Sequence, residues 1–435
     1  MYRFFLGLCL LASLRCRAQA PDTLVLPVPQ LLLLADQHNP QLRVAQAGVE
    51  AARQTTVVAR TARLPTISTS LSANYISNIQ IIQPNFSERT VGKAPHMGNS
   101  FAVEAGQLIW GAGAVRKSIQ LTSLQEQLAE LTLSQNQQDV HMLLLGHYLD
   151  LATLYNQRAV YRRNIQETQL LIRNIQSRLK HGTVLRTDLI RNELQLSNLN
   201  LGLLQTTNDI AIANQQLVLG LGLLEGTVIR PEAAGPGQRL PTASLPQNQQ
   251  LALAHNPDLQ QAAVQEQVAA KNVEYVQAGR YPTLSWFVNN NLGRPFLYDL
   301  PPVDIYYNLW MAGLSLKYNV GGLYTTKART RLAVAQQVQQ QRGQELAAER
   351  VSLAVHAATL KHQESIDRLA TLEKGVELAT ENYRRVTQSY RNQLALLTDL
   401  LDASNAKLDA ELQLENAKIR TVYTSYQLQR AIGTL

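Results

Sequence analysis

The sequence predicts a mainly helical chain with a smaller membrane β part, in which one structural unit occurs twice in tandem. Motifs recur at constant separations along the 435 residues. Two long stretches, 115–180 and 323–390, contain no proline, and four other segments alternate apolar and polar residues. Charged residues make up 17% of the chain, while leucine, alanine and glutamine are plentiful. This composition is typical of long helices packed through aliphatic seams.

Residues 1–20 predict a secretory signal peptide. Arg3 provides a positive start, residues 4–14 form a short apolar core, and Ala18-Gln19-Ala20 ends the segment. The apolar core is too short to span a bilayer. Cleavage after Ala20 would leave a proline at the new N-terminus, which is unfavourable for the peptidase, so cleavage after Ala18 is the alternative.

Both cysteines, Cys9 and Cys16, lie in this segment, so the mature chain is expected to lack disulfides, thiolate metal sites and cysteine nucleophiles. A lipid anchor at Cys16 is the alternative, although Arg15 departs from the small-residue pattern that such anchors need. Loss of Arg3, Arg15 and Arg17 lowers the formal net charge from +8 to +5. This mild surplus is spread along the chain and argues against a nucleic-acid partner.

An internal repeat organises the chain. Residues 38–42 recur at 255–259 and residues 63–68 recur at 280–285, each 217 positions later. The Thr-Asp-Leu motif at 187–189 recurs at 398–400, and Leu221-Gly222 matches Ile432-Gly433, each 211 positions later. Such consistent offsets predict two copies of one unit, at 21–225 and 247–435, separated by a Gly- and Pro-rich linker or belt at 226–246.

Each copy is expected to contain the same elements in the same order. A helix of about thirty residues comes first, at 30–62 and 247–279, with an Asn-Pro pair inside its early turns. Two strands follow, at about 65–82 and 100–110 and again at about 283–292 and 305–319, before the long helices. One coiled-coil position then recurs every seven residues: Leu189, Leu196, Leu203, Ile210, Leu217 and Leu224. Its partner column is mixed (Asn192, Leu199, Thr206, Ala213), which suits a helix packed against two neighbours.

The strand segments alternate as membrane strands do. One face of the first carries Ile67, Thr69, Leu71, Ala73 and Tyr75, and one face of the fourth carries Tyr306, Trp310, Ala312, Leu314, Leu316 and Tyr318. The aromatic residues Tyr75, Tyr306, Trp310 and Tyr318 are predicted to lie at the membrane interface. A soluble two-layer sheet is the alternative. Because an open four-stranded sheet would leave its edges unpaired in lipid, several copies must share one barrel. Three copies would give about twelve strands and two about eight, the smallest single-chain barrels.

Two motifs, HGTVLRTDL at 181–189 and YRNQLALLTDLLDA at 390–403, carry a family resemblance, to which residues 431–435 (AIGTL) add. Together with the repeat, the strand pairs and the helix lengths, they resemble the TolC family of outer-membrane efflux proteins over the whole mature chain. The resemblance implies a trimeric α-helical barrel, a coiled-coil tube, joined to a 12-stranded transmembrane β-barrel with four strands from each chain.

The resemblance also implies a site where paired helices turn at the periplasmic end of the tube. Asp188, Asp399 and Asp402 match the aspartates that narrow the family's aperture, and Tyr390 matches a position that fastens the closed state. A family arginine falls on Ala395, so Arg186 and Arg391 are the candidates to replace it. The tip that contacts an adaptor is expected at Gly182, Thr183, Val184, Thr187 and Thr398. The alternative for Asp188 and Asp399 is the role of ordinary first-turn helix acids.

The implied function is a passive exit duct across the periplasm and outer membrane of a Gram-negative cell, in a tripartite efflux or type I secretion system. The implied partners are two further copies of the chain, a periplasmic adaptor, an inner-membrane pump of RND or ABC type, and outer-membrane lipid. The cargo stays open among drugs, metal ions and proteins. A periplasmic coiled-coil scaffold or adhesin-like protein without transport activity is the competing hypothesis.

No enzyme motif occurs in the sequence, and neither a cofactor nor a metal site is expected. His141 and His147 are six residues apart, as are His356 and His362. That spacing does not bring two ligands to one face of a helix.

Overall fold

The computed structural model describes residues 23–232 and 244–435 and divides them into two compact units. The helical unit takes the described residues up to Arg43, together with Gln137–Asn248 and Val355–Leu435. The sheet unit takes Val44–Asn136 and Gln249–Ala354. Each unit therefore combines segments from both halves of the sequence. The predicted signal peptide at 1–20, with Cys9 and Cys16, and residues 233–243 of the predicted linker lie outside the described residues.

The two halves have the same order of helices. The first half contains α1 (Val28–His38), α2 (Pro40–Thr61), α3 (Ala114–Lys180) and α4 (Arg186–Gly220). The second half contains α5 (Leu245–His255), α6 (Pro257–Ala278), α7 (Gly322–Arg391) and α8 (Leu397–Ile432). The prediction of long helices over the two proline-free stretches is confirmed by α3 and α7. No helix within the two described ranges combines the length and apolarity needed to cross a membrane.

The single helix predicted at 30–62 is wrong, because the chain leaves the helix at Asn39 and starts a new one. The side-chain oxygen of Asn39 accepts hydrogen bonds from the backbone N–H groups of Gln41 (2.9 Å) and Leu42 (3.3 Å) and so caps α2. The proline between them has no N–H with which to continue α1. Asn256 caps α6 in the same way, which divides the helix predicted at 247–279.

The strands in the described residues are β1 (Thr23–Leu26), β2 (Thr66–Tyr75), β3 (Ile79–Ile82), β4 (Arg89–Gly92), β5 (Met97–Trp110), β6 (Val228–Pro231), β7 (Thr283–Arg294) and β8 (Tyr307–Lys317). The strand predicted at 65–82 is wrong beyond Tyr75, since β3 pairs with β4 in a separate hairpin. Asn78 redirects the chain there by accepting a hydrogen bond from the Ala94 N–H (3.3 Å). The predicted linker contains β6, which pairs in parallel with β1.

The core of the helical unit surrounds Tyr148 on α3. Its fully buried neighbours include Leu31, Leu144, Leu145, Leu217, Leu221 and Ile229. The Tyr148 hydroxyl donates to the Leu26 carbonyl (2.7 Å) and accepts from the Glu232 N–H (3.1 Å), which fastens the ends of β1 and β6. Burial raises the pKa of Tyr148 to about 12, so the phenol remains neutral and keeps its donor.

The inward face of α4 differs from the predicted leucine column. Four of the buried residues belong to the mixed column, namely Asn192, Leu199, Thr206 and Ala213, and the others are Ile210, Leu217 and Val218. Leu224 lies beyond the end of α4 and is exposed, so its place in the heptad is wrong. Large apolar side chains remain exposed on another face of α4: Ile190, Leu194, Leu201, Leu204, Ile212 and Leu219. At about 3.6 residues per turn these six form one stripe, called the α4 stripe below.

Candidate functional site

The sheet unit carries a four-stranded antiparallel sheet in the order β2-β5-β7-β8, with β2 and β8 at its edges. Its register places Leu71 opposite Phe101 and Phe101 opposite Leu292, so apolar positions follow one another across the strands. One face collects exposed large side chains: Ile67, Leu71, Tyr75, Met97, Phe101, Val288, Leu292, Trp310, Leu314 and Leu316. Leu71, for example, is 81% exposed. This alternation across four aligned strands is typical of sheets that face lipid.

Aromatic side chains lie near both ends of this sheet. Tyr75 stacks on His96 with ring centroids 5.3 Å apart, and the Tyr306 hydroxyl accepts a hydrogen bond from Asn99 (3.3 Å). At the other end, Trp110 packs edge-on against Tyr281 with centroids 6.4 Å apart, and Tyr318 follows β8. Trp310, predicted at an interface, lies within β8. Sequence reasoning missed Trp110 and Tyr281, because alternation does not show which strand ends meet.

The helical unit contains two tight turns of the same backbone form. Residues 173–191, called the first tip, join α3 to α4, and residues 384–402, called the second tip, join α7 to α8. Gly182 has φ +68° in the first tip and Gln393 has φ +63° at the equivalent place in the second. In each tip the residue that follows donates a backbone hydrogen bond to the last turn of the preceding helix. The Thr183 N–H donates to the Arg178 carbonyl (3.1 Å), and the Leu394 N–H donates to the Ser389 carbonyl (2.8 Å). The 211-residue offset therefore also holds for the hydrogen bonds.

The predicted aspartates begin the helices that follow the turns. The Asp188 carboxylate accepts a hydrogen bond from the Leu185 N–H (3.4 Å), and Asp399 accepts one from the Leu396 N–H (3.0 Å). In its own chain, each is the first-turn acid of the helix, a favourable place because helix N-termini attract negative charge. Asp402 is exposed and forms no hydrogen bond or salt bridge with any described residue. One oxygen of Asp399 and both oxygens of Asp402 thus remain available.

Tyr390 is packed beneath these turns against Ile175, Leu397 and Leu400. It is 7% exposed, and its hydroxyl has no hydrogen-bond partner among the described residues. Burial raises the pKa of Tyr390, the nearby Asp188 charge raises it further, and Arg178 lowers it. The Arg178 guanidinium lies over the tyrosine ring, 5.5 Å from the ring centre.

The arginine that contacts Tyr390 is therefore Arg178, and neither Arg186 nor Arg391 forms a contact of this kind with it in the described chain. Sequence reasoning missed Arg178, because it lies in the last turn of α3 and its equivalent in the second half is Ser389. Val184 and Ala395 are half-buried against the same apolar cluster. Thr183, Thr187 and Thr398 are exposed, as the expected contact tip requires.

A buried ammonium group connects three helices next to the tips. Lys407 on α8 is 7% exposed, and its Nζ lies 2.9 Å from Glu167 on α3 and 4.0 Å from Glu411. The same Nζ lies over the ring of Tyr383 on α7, 4.9 Å from the ring centre. Because a buried ammonium needs compensating charge, this arrangement holds α3, α7 and α8 together. The 211-residue offset of the repeat aligns Lys407 with Leu196, which belongs to the column of apolar residues spaced seven apart. A lysine at an apolar position was therefore the sequence signal that could have revealed this buried charge.

The two tips present different surfaces on one backbone form. The first tip carries Arg173, Arg178, Lys180, Arg186 and Arg191 against one acid, Asp188, a formal charge of +4. The second tip carries Arg384, Arg385 and Arg391 against Asp399 and Asp402, a formal charge of +1. Exposed Arg186 is replaced by buried Leu397, and Arg191 by Asp402. The second tip also exposes Leu394 and Leu396.

Within the described residues, no group of three or more His, Cys, Asp or Glu side chains could hold a metal ion. These surfaces present exposed apolar side chains on the sheet and formal charges at the tips.

Solved structures with this arrangement are outer-membrane channels. The channel OprN shares 18% identity over 94% of this chain and 90% of its own, with a TM-score of 0.78. CusC, whose structures concern transmembrane channel formation, shares 17% identity over 93% of this chain and 92% of its own, with a TM-score of 0.79. VceC from Vibrio cholerae shares 18% identity over 93% and 96%, with a TM-score of 0.72. At these identities the likeness establishes the fold class, that of outer-membrane channels.

The family follows from the sequence itself. The family model "Outer membrane efflux protein" matches residues 31–223 and 248–434, which together make up most of the chain. The chain therefore belongs to the outer membrane efflux protein family, which confirms the resemblance to TolC-type channels. It is an outer-membrane efflux channel protein, and the family's members are passive channels, not enzymes. No curated protein sequence gives a significant match.

Proposed function

We propose that the chain is the exit duct of a tripartite efflux or type I secretion system, in which a periplasmic adaptor and an inner-membrane pump of RND or ABC type deliver the cargo. The observation that carries the proposal is the sheet register, which aligns apolar side chains of four strands on one exposed face, while no described strand pairs with either edge of the sheet. Unpaired backbone groups are costly in lipid, so the edges must meet other strands.

Three copies joined edge to edge close a barrel of about twelve strands. The 12 residues of β7 extend roughly 40 Å, or about 30 Å across the membrane at the usual strand tilt, which matches the hydrocarbon core. The α4 stripe supports the same assembly, because an apolar face of this length needs a neighbouring helix. The helices of the three copies then line the periplasmic tube.

The tips provide the periplasmic aperture of this duct. Threefold symmetry turns Asp188, Asp399 and Asp402 into carboxylate rings that attract cations and disfavour anions. Tyr390 fastens the closed state by donating its hydroxyl to a carboxylate of the next copy. The support is that its own chain leaves this buried hydroxyl unpaired, a loss of about 1–3 kcal/mol unless a partner is supplied. The contacts with the adaptor come from exposed Gly182, Thr183, Thr187 and Thr398 and from half-buried Val184.

Planar-bilayer recording of the purified, detergent-solubilised protein tests the duct. We expect trimeric particles that conduct ions with a preference for cations. Asp399→Asn with Asp402→Asn should lower that preference, whereas Asp367→Asn with Asp409→Asn, a matched loss of two exposed helix carboxylates, should leave it unchanged. Release of the protein from membranes without detergent, together with absence of conductance, would contradict the duct and favour the scaffold hypothesis.

Leak current tests the proposed fastening. Tyr390→Phe removes a buried hydroxyl that has no partner among the described residues of its own chain, so we expect no loss of thermal stability of each chain but more frequent spontaneous opening. Tyr383→Phe is the control, because it removes a hydroxyl from another tyrosine that packs against the same cluster and whose ring lies beside Lys407. Equal leak from both variants would contradict the role of Tyr390.

A deletion strain identifies the cargo class. Sensitivity to drugs or to metals indicates efflux of that class of compound, and loss of a secreted protein indicates type I secretion.

A further inference from the structure

The four-stranded sheet has a second face, opposite the one that carries exposed apolar side chains from all four strands. On this second face, called the polar face below, serine and asparagine side chains are frequent: Ser68, Ser70, Ser72, Asn74, Ser100, Asn289 and Asn291. In the proposed duct the apolar face meets lipid, so the polar face lines the lumen of the barrel.

One carboxylate lies in the middle of the polar face without a cation beside it. Glu104 on β5 is the only acidic residue in the described strands β2, β5, β7 and β8. It is exposed and forms no hydrogen bond or salt bridge with any residue in 23–232 or 244–435. Of the two basic residues in these strands, Arg294 pairs with Asp304 and Lys317 lies at the end of β8. The charge of Glu104 is therefore uncompensated within the described part of its own chain.

Apolar side chains interrupt the polar face next to this charge. Phe287 on β7 and Leu309 and Met311 on β8 belong to this face, and Leu309 and Met311 are 42% and 53% exposed. The register places them beside Glu104, because Asn289 is opposite Glu104 on β7 and Met311 is opposite Asn289 on β8. The lumen of a membrane barrel is normally polar, so exposed apolar side chains on this face need an explanation.

Two glycines shape the space around the Phe287 ring. A Cβ atom on Gly313 would lie 3.0 Å from Cζ of Phe287, so the ring lies across the Gly313 backbone toward β8. Gly106 is opposite Phe287 on the other side, and a Cβ there would have no side-chain atom within 4 Å. Phe287 and Glu104 are diagonal neighbours on adjacent strands, about 7–8 Å apart. The result is a shallow hollow over Gly106, with a carboxylate at one side and an aromatic ring at the other.

We propose that this hollow binds apolar organic cations in transit through the barrel, with the positive group between Glu104 and the Phe287 ring and the apolar body against Met311. A carboxylate and the negative face of an aromatic ring both attract such a cation. A metal ion fits poorly, because one carboxylate beside the Asn289 amide offers too few ligands. An apolar anion would be repelled by Glu104. This site rests on the proposed function, for which it names a class of cargo.

Equilibrium dialysis of tetraphenylphosphonium against the unaltered trimer in a maltoside detergent tests the proposal, with uptake by protein-free micelles subtracted. We expect saturable binding of one cation per chain. Tetraphenylborate carries the same four phenyl groups around an anion and should show no saturable binding. Tetramethylammonium keeps the charge without the phenyl surface, so it should compete at least about tenfold less well than unlabelled tetraphenylphosphonium. Equal binding of the phosphonium and the borate, or equal competition by tetramethylammonium, would overturn the proposal.

Substitutions at the two sides of the hollow should each weaken binding. Glu104→Gln should raise the dissociation constant about threefold, as expected for an exposed charge pair, and Phe287→Leu about threefold through loss of the ring face. The controls make similar changes away from the hollow, because Asp299→Asn removes an exposed loop carboxylate and Phe101→Leu removes a ring from the apolar face. Both controls should bind the phosphonium as the unaltered trimer does. Unchanged affinity in either hollow variant, or the same loss in its control, would overturn the proposal.

Assembly and conductance are measured separately. If Phe287→Leu does not assemble, Met311→Asn replaces it under the same criterion, because Met311 is exposed and its truncation leaves the packing of the sheet intact. Loss of the trimer in Glu104→Gln would mean that this carboxylate pairs with a neighbouring copy, and this would overturn the proposal. Without conductance of the unaltered trimer the duct itself fails, whereas conductance without saturable phosphonium binding refutes only the cation site.

Discussion

The first and second tips share a backbone form and differ in the charge that they present to solvent. Both place one residue at positive φ, both close the turn onto the preceding helix, and both cap the next helix with an aspartate. The first tip exposes more bases, whereas the second has buried Leu397 in place of Arg186 and the carboxylate of Asp402 in place of Arg191. A duplicated unit can therefore preserve a turn through a few local interactions while its outward side chains diverge.

The difference extends below the surface. The second half supplies the buried polar groups Tyr390 and Lys407, whose equivalents in the first half are Leu179 and Leu196. The first half supplies their partners, since Arg178 lies over Tyr390 and Glu167 binds Lys407. Each half thus provides what the other lacks, so the two helix pairs are held in one specific arrangement. Four substitution pairs, from the largest expected effect to the smallest, test this division.

Lys407→Met should destabilise the protein most. It leaves the carboxylates of Glu167 and Glu411 without their cation, and we expect a loss of about 2–3 kcal/mol. That is below the usual cost of breaking a fully buried pair, because Glu167 retains solvent contact. The matched change Leu196→Met keeps volume and polarity and should cost below about 1 kcal/mol. Urea unfolding of the detergent-solubilised protein at fixed concentration measures the free energy of unfolding of both variants. Equal losses of stability would contradict the role of Lys407 in holding α3, α7 and α8 together.

Leu397→Ala should come next, at about 2–3 kcal/mol, because Leu397 is buried in the cluster around Tyr390 and its truncation opens a cavity. The equivalent change in the first tip, Arg186→Ala, removes an exposed side chain and should alter stability by no more than about 0.5 kcal/mol. The same urea titration measures the pair. A large loss of stability in Arg186→Ala would show that the Arg186 side chain makes stabilising contacts, contrary to its assignment as an exposed residue.

Gly182→Ala should cost about 1 kcal/mol through backbone strain alone, since no atom lies within 4 Å of the added Cβ. Gln393→Gly should move stability the other way, by up to about 0.5 kcal/mol, because glycine relieves the same strain but gains more freedom in the unfolded chain. Thermal unfolding followed by circular dichroism suits these small shifts. Shifts of the same sign would contradict a common turn geometry.

The smallest pair concerns the caps. Asp399→Asn should cost about 1 kcal/mol and Asp188→Asn about 0.5 kcal/mol, because the hydrogen bond to the capped N–H is 3.0 Å for Asp399 and 3.4 Å for Asp188. Comparison of the two midpoints by thermal unfolding decides the order. A reversed order would mean that Asp188 is held chiefly by its surroundings near Tyr390.

Much of the fold could be predicted from the sequence because its strongest signals are periodic. Proline-free stretches located α3 and α7, and the strand patterns located β5, β7 and β8 to within a few residues and the start, but not the end, of β2. The errors arose where one side chain decides the backbone. Asn39 and Asn256 cap new helices, and Asn78 turns the chain out of β2. Such local hydrogen bonds compete with periodic structure and leave little trace in a pattern.

The candidate site was harder to predict, because its parts meet through packing. The motifs located Asp188, Tyr390 and Asp399, and their roles in the aperture remain predictions. Arg178 could not be paired with Tyr390 in advance, since the contact joins α3 to α7 across more than 200 residues. The positive φ of Gln393 was also invisible, because glutamine gives no signal for a left-handed turn.

The conserved turn geometry also has a consequence for stoichiometry. In the proposed trimer, three chains with two tips each would form a rim of six ends with one backbone shape, a quasi-sixfold ring. Their surfaces alternate between a formal charge of +4 and one of +1, so the true symmetry of the rim is only threefold. A partner ring of six identical subunits would have to bind in two different ways, whereas a ring of three could occupy the basic ends alone.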